Sequence, residues 1–226
     1  MGRATASGEP SSNKRDVVLA AAVRCFAAHG LAGTGMRDIA RAAGLTEGTL
    51  YHYFPSKGAL IENAFRWSAF QASDLRDAMQ RAGLPLRRRL LQVGGEFLAV
   101  LRRDPDWSRV VIREALRTAT EGDGNAVRGA LISLATERTR ALAAALRDEM
   151  RSKRIAKCDP RRVAEHFFHA LIGHFVAEAI VGTSSPPRAD ADPFLAHLVD
   201  AIARDLERGS LSGTPGARRR DGGRTR

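Results

Sequence analysis

Residues 34–57 read TGMRDIARAAGLTEGTLYHYFPSK. Two short helical patterns meet in this stretch. Met36, Ile39, Ala40 and Ala43 share one face at three- and four-residue spacing. Gly44 follows, where a helix end needs a residue that tolerates positive φ, and apolar Leu45 plugs the corner. Thr46 then offers its hydroxyl as the cap of a second helix, with Glu47, Gly48 and Thr49 in the first turn. Leu50 and Phe54, four apart, face inward and leave Thr49, Tyr51 and His52 outward. Small Ala40 lets the helices approach, Gly44 makes the turn, and Leu45 and Leu50 seal the angle. This is a helix-turn-helix over about residues 35–54. The second helix of such a motif enters a DNA major groove by its N-terminal end.

Working outward, Val18, Ala22, Cys25 and Phe26 give an upstream helix that begins near Ser12 or Asn13 and ends at Gly30. Downstream, Pro55 stops the reading helix and Ser56 caps a long one running from Lys57 to about Arg81. Gly83-Leu84-Pro85 is a break, and a helix follows over 86–103. Asp104-Pro105, Asp159-Pro160 and Asp192-Pro193 each open a helix. Asp accepts from the unpaired N–H groups of a first turn, and Pro at the first helical position loses nothing. They predict helices over 105–118, 160–181 and 193–208, and a further helix covers 126–151. The expected fold is all-α with about nine helices. Residues 1–11 and the basic tail 209–226 carry Gly, Ser, Pro and Arg without periodicity and are expected to be disordered.

Composition adds less. The chain has 226 residues, 44% hydrophobic, with a formal charge of +11, and basic chains seek nucleic acid or anionic membranes. Nearly all its cations are Arg, with Lys only at 14, 57, 153 and 157, a bias that a GC-rich genome also produces. The charge is therefore mild support for DNA. Cys25 and Cys158 have no metal-ligand spacing. The N-terminus lacks the apolar run of a signal peptide, and the most apolar stretch, ALIGHFVAEAIVG, is interrupted by His174 and Glu178. A cytoplasmic, nucleoid-associated protein with reduced thiols is expected. No catalytic motif emerges, so neither an enzyme nor a cofactor is expected. Arg113-Glu114 and Asp148-Glu149 read as solvated helix charges. His166 and His169 are three apart, as zinc ligands can be, but no third ligand is spaced to join them, and no metal is expected.

The stretch RDIARAAGLTEGTLYHYFPSKGAL resembles the DNA-binding domain of the tetracycline-repressor (TetR) family of bacterial regulators. LYHYFPSK followed by a long amphipathic helix, with VLAAAVRCFAAHG upstream, carries the resemblance, over about residues 14–65. It implies a three-helix reader over 12–56 and a helical effector-binding and dimerisation domain over 57–208. It further implies a homodimer that blocks transcription at a palindromic operator and is released by a small molecule. It carries DNA contact onto Thr34, Arg37, Thr46, Glu47, Gly48, Thr49, Tyr51, His52, Tyr53 and Lys57. Thr49 sits where its methyl and hydroxyl can meet base edges, and Tyr51 offers its phenol to a phosphate. Lys57 and nearby backbone N–H groups can hold another phosphate. Where the family has Thr or Ser just before the second helix, as cap and phosphate ligand, this chain has Gly35, with Thr34 one residue earlier. Either Thr34 takes over the cap or the chain does without that phosphate ligand. Arg15, on the first helix, is a further candidate for the DNA backbone.

Phe70, Phe97, Trp107, Ile112, Leu116, Phe168 and Ile172 lie on faces that could converge, with His169 among them. A cavity so lined is mostly apolar with few polar groups, as small-molecule sites are. Nothing in it suggests a fixed anion, so a hydrophobic or aromatic effector is expected. The segment 160–181 is apolar nearly all round and must be buried on more than one side. Its small residues Ala170, Gly173 and Ala177 form a line along which a partner helix can approach. The rival reading is a DNA-binding activator or architectural protein without a ligand. A cavity among the helices of 57–181 separates the two.

Overall fold

A computed structural model describes residues 11–69, 72–80, 84–116, 123–181 and 192–208. Ten helices and no strand lie among them, and no described helix is long and apolar enough to cross a membrane. The expected tail 209–226 and most of the N-terminal arm fall outside the described residues. The class is all-α, as expected, with one helix more than the sequence suggested. The single helix expected over 57–81 is two, α4 (Lys57–Ser68) and α5 (Ala72–Gln80). The break has a tertiary cause. Ala69 is extended, with φ −83° and ψ 157°. The Ser68 hydroxyl donates to the Phe65 carbonyl at 3.1 Å and accepts from the Trp107 indole at 2.7 Å, while Arg103 donates to the Ser68 carbonyl at 2.9 Å.

The other boundaries follow local chemistry. The first helix, α1 (Ser11–His29), ends at Gly30 with φ +72°, and α2 (Met36–Ala42) ends at Gly44 with φ +69°. Only glycine takes that backbone cheaply. There the Leu45 N–H donates to the Ala40 carbonyl at 2.9 Å and the Gly44 N–H to that of Arg41 at 3.1 Å, the double closure of a Schellman end. Thr46 caps α3 (Glu47–Tyr53), and Ser56 caps α4. After α6 (Leu86–Arg103), the three Asp-Pro pairs open α7 (Pro105–Leu116), α9 (Pro160–Val181) and α10 (Pro193–Arg208). Each Asp accepts from first-turn N–H groups, at 3.0 Å from Trp107 for Asp104 and at 3.0 and 3.1 Å from Phe194 and Leu195 for Asp192.

Two apolar cores result. The first joins Val18, Ala22 and Phe26 of α1 to Ile39, Leu50, Phe54, Leu60 and Ile61, and continues into Trp107, Val110 and Val111 of α7. The second gathers Leu75, Leu90, Phe97, Phe167, Phe168, Leu171, Leu195 and Val199. The long α8 (Asp123–Arg151) serves both, with Leu134 in the first and Leu142 and Leu146 in the second. Arg15 is exposed but not free. It donates to Asn63 at 2.7 Å and lies 4.7 Å from the centre of the Phe54 ring, tying α1 to α4. Gly94 is the glycine that close packing demands, since a Cβ there would sit 2.3 Å from Leu195 of α10.

In each of two pairs expected to be solvated, Arg113-Glu114 and Asp148-Glu149, the glutamate is buried while its neighbour stays exposed. Glu149 is held by Arg89 and by Arg154, whose Nε lies 2.7 Å away, and Glu114 lies 3.7 Å from the Arg113 guanidinium. The Arg154 guanidinium holds the Glu149 carboxyl below its usual range; burial acts the other way, and Arg89 adds to the lowering.

After α8 the chain turns through Lys153, the only described non-glycine residue with positive φ (55°). The Arg154 N–H donates to the Glu149 carbonyl there at 3.0 Å. A Cβ in this conformation costs roughly 1–2 kcal/mol, and glycine recovers it at an entropic cost of about 0.5–1 kcal/mol. Lys153→Gly is expected to raise unfolding stability by about 0.5–1 kcal/mol, read from urea midpoints at constant slope.

Candidate nucleic-acid interface and effector cavity

The helix-turn-helix leaves most of its expected contact residues accessible. Arg37, Thr46, Glu47, Gly48, Tyr51 and His52 are exposed, and Thr49 and Lys57 are half-buried. Thr46 and Thr49 share a hydrogen between their hydroxyls at 2.8 Å, so Thr49 is oriented by the cap beneath it. Tyr51 keeps 45% of its surface exposed. Tyr53 is half-buried against the first core, and His52 meets its ring edge-on at 5.7 Å. Lys57 is the first residue of α4, one residue after the Ser56 cap.

Thr34 is a correction. It is only 2% exposed, and its hydroxyl donates to the Gly30 carbonyl at 2.8 Å and lies 3.1 Å from that of Cys25. It ties the end of α1 to the start of α2 and cannot reach a phosphate. Nor does it take over the cap. Gly35 is the N-cap and has no side chain to give, and the Asp38 carboxylate instead accepts from the Gly35 N–H at 3.0 Å. Gly48 shows the opposite. A Cβ there would meet nothing within 4 Å, and its φ is not positive, so the fold itself does not require this helix-weakening residue.

A cavity of about 260 Å³ lies between α4, α6, α7, α8 and α9. Phe97, Trp107, Ile112, Leu116 and Ile172 line it, as expected, with Phe65, Ser68 and Ala69 from the end of α4. Its rim is at Leu116, which is 79% exposed. Phe70 lies outside the described residues. Phe168 stands behind the wall, buried and edge-on to Phe97 at 5.3 Å. His169 is a correction: it is exposed and borders a separate cleft between α8 and α9 that Glu165 and Arg147 also line. A larger cleft of about 920 Å³ lies outside, between α5 and α8. Its wall mixes charged groups, including Arg76, Arg140, Glu137 and Asp148, with apolar Met79, Leu84 and Pro85, whereas small-molecule sites are mostly apolar with few polar groups.

The sequence reading missed Arg138. It is buried in the wall of the apolar cavity. Its Nε donates to the Leu134 carbonyl at 3.2 Å, and its guanidinium carbon sits 4.9 Å from the centre of the Phe97 ring and 5.9 Å from that of Phe168. Burial pushes its pKa down to about 10, with a small opposing effect from Glu137, so it stays cationic at neutral pH. Within the sequence it is one arginine of many on a long helix, and nothing local sets it apart.

Among the described residues, one group of side chains has the spacing of metal ligands. His174, Glu178 and Asp192 have ligand atoms within 4.8 Å of one another, but the Arg102 guanidinium fills the position between them. Its Nη2 lies 2.8 Å from Glu178, 2.7 Å from Asp192 and 3.4 Å from His174. His174 also stacks on Phe194 at 4.1 Å. The group fastens α6, α9 and α10 together. Both thiols are free, and burial raises the pKa of each, so neither is a poised nucleophile.

The family model described as bacterial regulatory proteins, tetR family, matches residues 18–64. This segment of the chain belongs to the tetR family. The repressor KstR2 of Mycolicibacterium smegmatis is 45% identical over 58 residues, 26% of this chain and 28% of the relative. The repressor AcnR of Corynebacterium efficiens is 31% identical over 125 residues, 50% of this chain and 66% of the relative. The chain thus covers less than two thirds of the length of these curated relatives. FadR from Bacillus subtilis, solved in complex with stearoyl-CoA, shares the fold with a TM-score of 0.62 at 18% identity, over 86% of this chain and 98% of that one. The helix-turn-helix of α2 and α3 lies inside this tetR-family segment.

The Asp192 carboxyl supplies a pH test. Burial works to raise it, but the Arg102 guanidinium and the Leu195 N–H outweigh burial, so it titrates below its ordinary value. A depressed carboxyl stabilises the fold above its unfolded pKa of about 3.9 and loses that contribution as pH falls through the folded value. Asp192→Asn is expected to be less stable than the parent at neutral pH, and the gap is expected to close below about pH 4. Urea midpoints of both chains across that range give the comparison.

Proposed function

We propose that this chain is a ligand-responsive transcriptional repressor that binds a palindromic operator in double-stranded DNA as a cytoplasmic, nucleoid-associated homodimer, and that a small, mainly apolar effector releases it. The single observation that carries the reading is the reach of α4. Lys57 stands at its first residue, and Phe65, Ser68 and Ala69 near its other end form part of the cavity wall. At 1.5 Å per residue, twelve residues span roughly 18 Å. A compound that moves one end of this rod moves the other, and with it the spacing of two reading helices in a dimer. A second connection runs through Trp107, a cavity residue whose ring stacks on Phe26 of α1 at 6.0 Å. Such coupling is reciprocal: effector and DNA weaken each other by the same factor.

The names of KstR2 and AcnR as HTH-type transcriptional repressors support the DNA half of the proposal, and the stearoyl-CoA bound to FadR supports the effector half. The cavity favours this reading over a DNA-binding activator or architectural protein without a ligand. For the dimer, Gly173 and Ala177 are exposed on α9 and Ala170 is half-buried, and a Cβ on Gly173 meets nothing within 4 Å. Ile180, on the same helix, is 79% exposed. A two-fold pairing of α9 and α10 with their symmetry mates buries this face.

Three outcomes test the proposal. DNA selected from a random pool is expected to contain a palindrome, and affinity for it is expected to fall steeply with salt. Lys57→Ala lowers the log–log salt slope by roughly 2 per dimer, about 0.9 for each phosphate no longer neutralised, at every sequence alike. An unchanged slope refutes the Lys57 assignment. Gly48→Ala is expected to stabilise the chain by up to about 1 kcal/mol while weakening operator binding, because the added methyl faces the groove. Retained binding would show that Gly48 is not at the DNA surface. Gly173→Arg is expected to give monomers in sedimentation, and a persistent dimer places the interface elsewhere.

A further inference from the structure

Arg138 breaks a pattern that the chain's other enclosed arginines keep. Arg89 and Arg102 have side chains 11% and 15% exposed, and each is met by carboxylates: Glu149 for the first, Glu178 and Asp192 for the second. Arg138 is more buried, at 7%, and forms no ion pair with any described residue. Its neighbour in sequence, Glu137, is turned to Ser133 and Arg66. The Arg138 Nε is satisfied by its own helix, and the rings of Phe97 and Phe168 take part of the charge. Its two outer nitrogens have no hydrogen-bond acceptor among the described residues, and the side chain is part of the cavity wall.

A buried guanidinium without an anion is costly. No other lining group relieves it. The Ser68 hydroxyl is engaged with Phe65 and Trp107, and the Ser108 hydroxyl donates to the Leu101 carbonyl at 2.8 Å. The remaining described side chains of the wall are apolar. One planar cation with two parallel N–H groups fits one carboxylate in a bidentate pair. A doubly charged phosphate would leave its second charge uncompensated in the same wall.

We propose that the cavity's ligand carries a single carboxylate, paired with the outer nitrogens of Arg138, and an apolar body of one or two rings packed among Phe65, Leu101, Trp107 and Ile112. This rests on the effector reading above and changes the expected compound from a purely hydrophobic one to an amphiphilic acid. A cavity of about 260 Å³ exceeds the roughly 150 Å³ that holds a benzene ring, which leaves room for the acid group beside the body.

The test uses the full chain with two probes of one shape, 1-naphthylacetate and the uncharged 1-naphthylacetamide, titrated by calorimetry into the parent and Arg138→Met. The parent is expected to bind the acid about tenfold or more tighter than the amide, the range for a hydrogen-bonded charge pair. In Arg138→Met the acid is expected to lose that advantage while the amide keeps its affinity. Removing a buried, unpaired charge is also expected to raise the melting temperature of the ligand-free chain; if Arg138→Met fails to fold, Arg138→Gln replaces it. Equal affinity of acid and amide for the parent overturns the inference, and so does failure of both to bind. DNA titration separates the two proposals. If acid and amide bind equally and both release DNA, the carboxylate is refuted and the effector reading stands. If only the acid binds, through Arg138, and DNA affinity is unchanged, the effector reading falls and the carboxylate site stands.

Discussion

The indole of Trp107 is held on two sides. Its ring lies against Phe26 of α1, and its N–H is given to Ser68 at the end of α4. An aromatic pair of this kind contributes about 0.5–1.5 kcal/mol beyond its buried area, and a satisfied buried N–H about 1 kcal/mol. Larger than either is the consequence for the chain path. With Ser68 engaged by α7, the helix that starts at Lys57 cannot continue, and α5 leaves in a new direction to build the second core. The same residue forms part of the cavity wall. Reader, linking helix and cavity therefore share one side chain.

What the sequence revealed and what it concealed divide along the distance over which each cause acts. The glycines at 30 and 44, the Thr46 and Ser56 caps and the three Asp-Pro openings are legible because each is settled by its own neighbours within a few residues. The break after Ser68 is settled by Trp107, thirty-nine residues away, and nothing in Ser68-Ala69-Phe70 announces it. Thr34 misled for a related reason. Its position relative to α2 resembles that of a phosphate ligand, but the carbonyls of Cys25 and Gly30 compete for the hydroxyl and win. Five of the expected cavity residues converge because helical spacing puts bulky side chains on a shared face. His169 fails because one step around a helix that is apolar on most sides decides between wall and surface, and periodicity loses its power there.

Charge was the least legible property. Glu149 and Glu114 look like ordinary helix acids, and Arg138 like an ordinary helix base. Burial of such groups depends on which helices cross above them. The chain answers the cost in different ways. Arg102 is surrounded by two carboxylates and an imidazole and fastens three helices, while Arg138 is left against aromatic faces, a weaker compensation for a desolvated cation. The first arrangement serves rigidity. The second leaves a strong electrostatic demand at a place a small molecule can reach.

The placement of the aromatic residues gives the molecule optical reporters of its own. Its two tyrosines, Tyr51 and Tyr53, both lie on α3, and its two tryptophans are Trp67 on α4 and Trp107 on α7. Trp67 is exposed and Trp107 is buried in the cavity wall. Phenol emission, at shorter wavelength than that of indole, therefore reports on the reading helix, and red-edge light, which indole absorbs and phenol does not, samples the interior and the end of the linking helix. A collisional quencher silences Trp67 and leaves Trp107 emitting. The unmodified chain thus separates, by colour and by quenching, events at its outer face from events within.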